Sequence, residues 1–301
     1  MSRFAVVVPV GPGTEELRRF RDLLDSLWAW ETGARLCVAI DASPYARNVV
    51  PGGRSGCRFV TLHAPFRGQG LPLGGRLSAS LLVAFEIVRR QGPFDFILRA
   101  DTDALIVGRF RDAVSRFLAG HPRTGMLGTL GFTCRRESPW YGCEKAAVSD
   151  VALALSRMPR NTPAFARIAP GWARIEAHYR AACRNGYAGK EYCQGGIYAL
   201  PFRTLEQMAY QGCLDHPADW LPFAVPEDVM MGVLTRAVGL ECTDFSLPGQ
   251  PFGSNALGLA YSPRQLLRRR YALIHSVKSD RQYSERMVRG FFRARRQALT
   301  I

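Results

Sequence analysis

The sequence predicts an α/β protein built on a mostly parallel nucleotide-binding sheet flanked by helices, with a less regular second half. Three observations carry that prediction. Across residues 1–100, short apolar runs alternate with stretches of helical period, as strands joined by crossover helices do. The run Phe94, Phe96, Ile97 and Leu98 follows a Gly92-Pro93 break and ends in two carboxylates one residue apart, Asp101 and Asp103. Ligands of open α/β sheets bind at the carboxyl ends of strands, where this pair falls. No internal repeat or low-complexity linker divides the 301 residues, so one domain is expected: a nucleotide-sugar-binding half over 1–110, a less regular half over 111–260 and a basic segment over 261–301.

Taken in order, Phe4 to Val10 reads as a buried strand turned by Gly11-Pro12-Gly13. Thr14 is placed to cap a helix whose apolar positions Leu17, Phe20, Leu24, Leu27 and Trp28 keep helical spacing, with Glu15 and Glu16 favourable in its first turn. LCVAI at 36–40 is a second strand ending in Asp41, and CRFVTL at 57–62 a third. The loop from His63 to Arg76 carries Gly68, Gly70, Gly74 and Gly75 with Arg67 and Arg76, so backbone can approach a ligand closely and guanidinium groups can meet phosphate. A flexible connection with incidental glycines is the alternative, since neither GxxxxGK[ST] nor GxGxxG is present. LSASLLVAFEIVRRQ then reads as a long helix. In the second half, AVSDVALALSRM and the stretch from Pro163 to Cys183 look helical, with Trp140, Tyr141 and Trp172 as core or sugar-stacking aromatics. EYCQGGIYALP sets Gly195 and Gly196 before a short strand, and PEDVMMGVLTRAVGL opens a helix with Pro226, Glu227 and Asp228.

The totals exclude several classes. The chain is 47% hydrophobic and 22% charged, an ordinary globular composition. No stretch reaches the roughly 20 apolar residues of a membrane span, and Arg3 leads straight into FAVVVPV without a signal-peptide pattern, so a cytoplasmic location is expected. Eight cysteines without a CxxC pair read as reduced thiols. The net charge of +15 is uneven: from Tyr261 to Ile301, ten Arg and one Lys face Asp280 and Glu285, a net +9. No nucleic-acid motif accompanies this segment, and none is expected as partner. SERMVRGFFRARRQAL mixes Phe and Met with arginines, so an anionic membrane surface at the inner face is one candidate partner. The other reading is a solvated basic helix packing its Phe residues on the body.

Asp101 and Asp103 need a cation if both face one crevice, as period-two alternation allows while the chain stays extended. Oxygen ligands favour Mg²⁺ or Mn²⁺, and such an ion favours a phosphate-bearing substrate. A solvated Asp-Thr-Asp turn is the other possibility. The set of acid turn, Gly-Gly pair and later acidic pair resembles the glycosyltransferases of the GT-A fold, and within them the β-1,3-glycosyltransferases of family 31, the Fringe-like enzymes included. The matching pieces keep the family's order: ADTDALIV for its DxD turn, YCQGGIYALP for its GG motif, PEDVMMG for its EDV motif and IHSVK for a late histidine. Where the family usually has DDD and EDVYVG, this chain has DTD and EDVMMG.

The resemblance implies a single GT-A-like catalytic domain that transfers a hexose or N-acetylhexosamine from a UDP-sugar to a hydroxyl of a glycan or other acceptor, with inversion; the basic segment adds a lipid-linked glycan as a candidate acceptor. Asp101, Asp103 and His275 would bind the metal, Mn²⁺ with Mg²⁺ as the alternative; Asp101 could instead reach the ribose. Asp41 and the turn after Val10 would contact the uridine and Lys278 the diphosphate; beside the resemblance, Arg76 is a phosphate donor by its chemistry, and Gly195 and Gly196 let backbone pass beneath a flat ligand such as a sugar ring. Asp228 would be the catalytic base and Glu227 would orient a substrate. Rival readings are a sugar-nucleotide pyrophosphorylase, of whose glycine-rich signature GPGTEELRR keeps only part, a DxD phosphatase, and a non-catalytic basic adaptor.

Overall fold

The computed structural model describes residues 3–31, 33–41, 56–63, 66, 73–131, 163–189, 191–255, 257–278 and 280–298. AVSDVALALSRM, Trp140, Tyr141, Arg67, Gly68 and Gly70 lie outside them, as does the side chain of Asp41. The described elements begin β1 (Phe4–Val10), α1 (Thr14–Trp30), β2 (Ala34–Asp41), β3 (Arg58–His63) and α2 (Leu73–Gln91). There follow β4 (Phe96–Ala100), β5 (Leu105–Ile106), α3 (Arg111–Gly120), β6 (Thr124–Gly128) and α4 (Pro163–Arg184). The remainder comprises β7 (Ile197–Pro201), α5 (Phe202–Tyr210), α6 (Glu227–Ala237), β8 (Glu241–Asp244), β9 (Phe252–Ser254), α7 (Pro263–Arg268), β10 (Leu273–His275) and α8 (Glu285–Ala298).

Among the described residues the main sheet has seven strands in the order β3-β2-β1-β4-β7-β6-β8. All neighbours are parallel except β7, which runs antiparallel to β4 and β6, so the mostly parallel α/β sheet expected from the sequence is present. FAVVVPV is apolar at nearly every position because both of its faces are covered. Ala5 and Val7 join the core under α2 and α6, while Phe4, Val6 and Val8 join the one under α1. The chain departs from β1 towards β2 on one side and β4 on the other, so the crevice at the switch point opens beside the end of β4. A second, three-stranded sheet, β5-β10-β9, is attached there.

Local details depart from the sequence reading where packing intervenes. Gly13, with φ of 108°, takes the position before α1, and Thr14 is the first helical residue without capping. α2 starts at Leu73, so Gly74 and Gly75 lie inside a helix. A Cβ on Gly75 would stand 2.5 Å from the carbonyl oxygens of Trp220 and Leu221, and one on Gly74 2.6 Å from that of Val225. The close approach these glycines allow is to a protein segment, and Gly74 also lines the crevice beside the end of β4. Trp172 is buried and stacks on Phe223, a core role. Cys37, Cys57, Cys183, Cys193, Cys213 and Cys242 are free thiols, and among the described residues no helix is long and apolar enough to cross a membrane.

The basic C-terminal helix is docked. Val288 and Phe292 are buried against Tyr261, Tyr271 and Ile274, each contributing about 1.5–3 kcal/mol by burial. Arg289 and Arg296 are buried as well, because Asp22 of α1 pairs with them at 2.8 and 2.6 Å. α8 thus packs Phe292 on the body, as the solvated-helix reading expects. What α8 turns outward is charge, on Arg286, Arg293 and Arg295, with Met287 half exposed.

Burial pushes the Asp22 carboxyl up, but the facing arginines outweigh it and hold it below the ordinary carboxylate range. A depressed acid stabilises the fold above its unfolded value, near pH 4, and that contribution is lost as pH falls through the folded value. Asp22→Asn is expected to cost about 3 kcal/mol at pH 7 by stranding buried arginines and to flatten the loss of Tm between neutral and strongly acidic pH. Thermal unfolding of both proteins across that range checks it; parallel Tm curves would refute the pairing's role.

Candidate active site

The acid turn lies at the end of β4, and backbone hydrogen bonds shape it. The Asp101 N–H donates to the Gly196 carbonyl at 2.6 Å, and the Ala104 N–H donates back to the Asp101 carbonyl at 3.1 Å. The chain therefore turns between the two acids, and the turn, not an extended alternation, aims both carboxylates at one imidazole. His275 is brought there by β10, which pairs antiparallel with β5 (Ile274 opposite Leu105) and parallel with β9 (His275 opposite Ser254). Its Nε2 lies 3.4 Å from Asp103 Oδ1 and 3.9 Å from Asp101 Oδ2.

Asp103 is fully buried. Its Oδ2 accepts from the Ser276 hydroxyl at 2.7 Å and stands 3.5 Å from Lys278 Nζ. The segment after His275 is a turn rather than a helix, and it still delivers Lys278 to the acids. Burial raises the Asp103 carboxyl, but the positive charges of His275 and Lys278 and the Ser276 hydroxyl more than reverse this and keep it well below the usual range. In His275 burial disfavours the cation, and Asp103 and Asp101 raise it nonetheless. Asp103 Oδ1 is buried, with His275 Nε2 at 3.4 Å outside hydrogen-bond geometry. Two carboxylates and an imidazole whose ligand atoms all lie within 4.8 Å of one another fit a divalent cation.

Gly196, at φ of 98°, is required by both backbone and space: a Cβ there would stand 2.3 Å from the His275 ring. Gly195 donates its N–H to Asp228 Oδ2 at 2.8 Å. The Gly-Gly pair is thus wedged between the histidine and the second acidic pair. Glu227 and Asp228 occupy the first turn of α6, both buried, and Asp228 Oδ1 accepts from the Val229 N–H at 3.0 Å. Each Asp228 oxygen retains a second lone pair.

Sequence reasoning missed Arg99. It is 1% exposed near the end of β4, and its Nη2 lies 2.8 Å from Asp101 Oδ1 and 2.5 Å from Glu227 Oε1, joining the two acid clusters. Its signal was legible: a guanidinium inside the apolar run FILRA cannot be buried without a partner. Arg99, Asp101, Gly195, Gly196, Glu227, Asp228 and His275 line one cleft of about 370 Å³, which Leu73, Leu77 and Pro226 close on an apolar side. Asp101, 32% exposed, fronts the cleft, and Asp103 lies behind it. Val10, buried opposite Asp41 at the ends of β1 and β2, and Arg76, in the second turn of α2, do not line this cleft.

No protein-family model and no curated protein matches the chain. Some solved structures are similar to it at low identity. Galactosyltransferase LgtC, in complex with donor and acceptor sugar analogs, is 12% identical at a TM-score of 0.48, covering 99% of this chain and 96% of that one. Mannosyltransferase PcManGT from Pyrobaculum calidifontis, in complex with GDP-Man and Mn²⁺, is 14% identical at 0.43, covering 99% of this chain and 64% of that one. Mouse xyloside xylosyltransferase 1, in an apo form, is 11% identical at 0.44, with 91% and 97% covered. At TM-scores below 0.5 these likenesses carry no chemistry over to this chain.

Proposed function

We propose that the protein is a metal-dependent glycosyltransferase of the GT-A type, related to family 31, that moves a hexose or N-acetylhexosamine from a UDP-sugar to a hydroxyl of a glycan or lipid-linked acceptor with inversion. The observation that carries this reading is the convergence of Asp101 and His275 with Glu227 and Asp228 on one cleft. Asp101, Asp103 and His275 would hold the ion, and the imidazole favours Mn²⁺ over Mg²⁺. A bound ion supplies positive charge against the leaving diphosphate. Lys278, 43% exposed beside Asp103, adds a mobile cation for the same oxygens. Asp41 and the turn after Val10, at neighbouring strand ends, are the proposed uridine contacts.

Across the cleft, Asp228 takes the proton of the acceptor hydroxyl as that oxygen attacks the anomeric carbon from the face opposite the diphosphate. Hydrogen bonds from the Gly195 and Val229 N–H groups hold its carboxylate in one orientation. Glu227, fixed by Arg99, orients the acceptor or the donor sugar. Incubation with a panel of UDP-sugars tests the reading: slow release of UDP that requires Mn²⁺ and depends on the sugar is expected. Absence of release from every UDP-sugar, with Mn²⁺ present, would overturn it.

A further inference from the structure

We propose that α8 is a positioning element for the acid turn, and that Arg289 acts on the Asp101–Asp103 site through the carbonyl of Thr102. Thr102 is the residue between the two acids, and it is buried. Its carbonyl accepts a hydrogen bond from Arg289 Nη2 at 3.3 Å, and its hydroxyl donates to Glu16 of α1. The same guanidinium donates from Nη1 to Asp22 at 2.8 Å and from Nε to Glu285 at 2.7 Å. Glu285 accepts in turn from Arg19 at 2.6 and 2.8 Å, and Arg19 donates to Glu16 at 2.5 Å. Thr102, Glu16, Arg19, Glu285 and Arg289 therefore form a closed ring of hydrogen bonds behind the turn.

The physical consequence follows from the turn's shape. Asp101 and Asp103 point to His275, while Thr102 between them is held from α1 and α8; neither Thr102 nor Arg289 lines the cleft. With the central peptide anchored, the two carboxylates keep their mutual angle without help from a ligand, and a ligand binding them need not supply the ordering free energy. Part of the basic excess of the C-terminal segment is thereby explained. Arg289 is buried because the turn carbonyl, Asp22 and Glu285 together satisfy its donors.

The inference rests on the proposed metal site, and Mn²⁺ alone is the probe. Mn²⁺ affinity is measured on the full chain by calorimetry or by the free-ion paramagnetic resonance signal, well below Tm. Arg289→Met is expected to weaken it about tenfold or more, as loss of a group orienting a ligand does. Arg296→Met is the control: it pairs with the same Asp22 at 2.6 Å and lowers Tm without moving Mn²⁺ affinity. Should Arg289→Met fail to fold, Arg289→Lys keeps a cation beside Asp22, loses the forked reach to Thr102 and is held to the same expectation. Wild-type binding with unchanged affinity in the Arg289 variant would overturn the inference alone. A wild-type protein that binds no Mn²⁺ would overturn the metal reading and this inference with it.

Discussion

Asp228→Asn is expected to slow sugar transfer about 10²- to 10⁴-fold, the range that a positioned general base contributes. Its effect on UDP affinity should be small, because the proposed metal and diphosphate ligands belong to the Asp101–His275 side of the cleft. The substitution preserves shape but exchanges one acceptor oxygen for an amide. Of the N–H donors of Gly195 and Val229, now 2.8 and 3.0 Å from carboxylate oxygens, one is then left facing an NH₂ group. A stability loss of about 1–3 kcal/mol accompanies this, so the rate is compared at a temperature where both proteins are folded. Mn²⁺-dependent UDP release together with titration of UDP separates the two effects. Normal turnover by the variant would remove Asp228 from the role of base, whereas loss of UDP binding would mark it as part of the donor site.

Asp103→Asn is expected to abolish Mn²⁺ binding and to destabilise the fold. Asp103 is the most enclosed of the three metal-site residues, and its charge is matched by His275 and Lys278 at 3.4 and 3.5 Å and by the Ser276 hydroxyl at 2.7 Å. Without the anion, a buried imidazole and a nearby ammonium lose their partner, at a cost of about 3 kcal/mol, the scale of breaking a buried pair. His275 then falls towards the lower value that burial alone dictates. Calorimetry with Mn²⁺ and thermal unfolding give the two readouts. A variant that binds Mn²⁺ like the wild type would show that this cluster is a structural ion pair.

Much of this arrangement is local and therefore legible in the sequence. The apolar runs of β1, β2 and β3, the helical period of α1 and α2, the acids at the end of β4 and the acids opening α6 are all patterns within a few turns or strand repeats. A period and a turn signal suffice to place them. Their partners are another matter. That Gly196 is needed against His275 follows from the pairing of β10 with β5 and from the antiparallel insertion of β7 between β4 and β6. Neither pairing has a local signature, because a short apolar strand pairs equally well in several places until the core selects one. Gly74 and Gly75 read equally as ligand-approach glycines or as incidental ones, because the segment from Trp220 to Val225 that packs on them is distant in sequence.

The kind of fold and the residues able to hold an ion and accept a proton are written into the chain, since strand and helix periodicity and side-chain chemistry are properties of short stretches. Only the tertiary structure decided that these groups share a cleft, that Arg99 ties Asp101 to Glu227, and that the basic helix α8 turns its apolar face inward and reaches the acid turn with Arg289. The reason is physical. A charge can be buried only where another chain segment presents its complement at hydrogen-bond distance, and which distant segment does so is settled by the packing of the whole core.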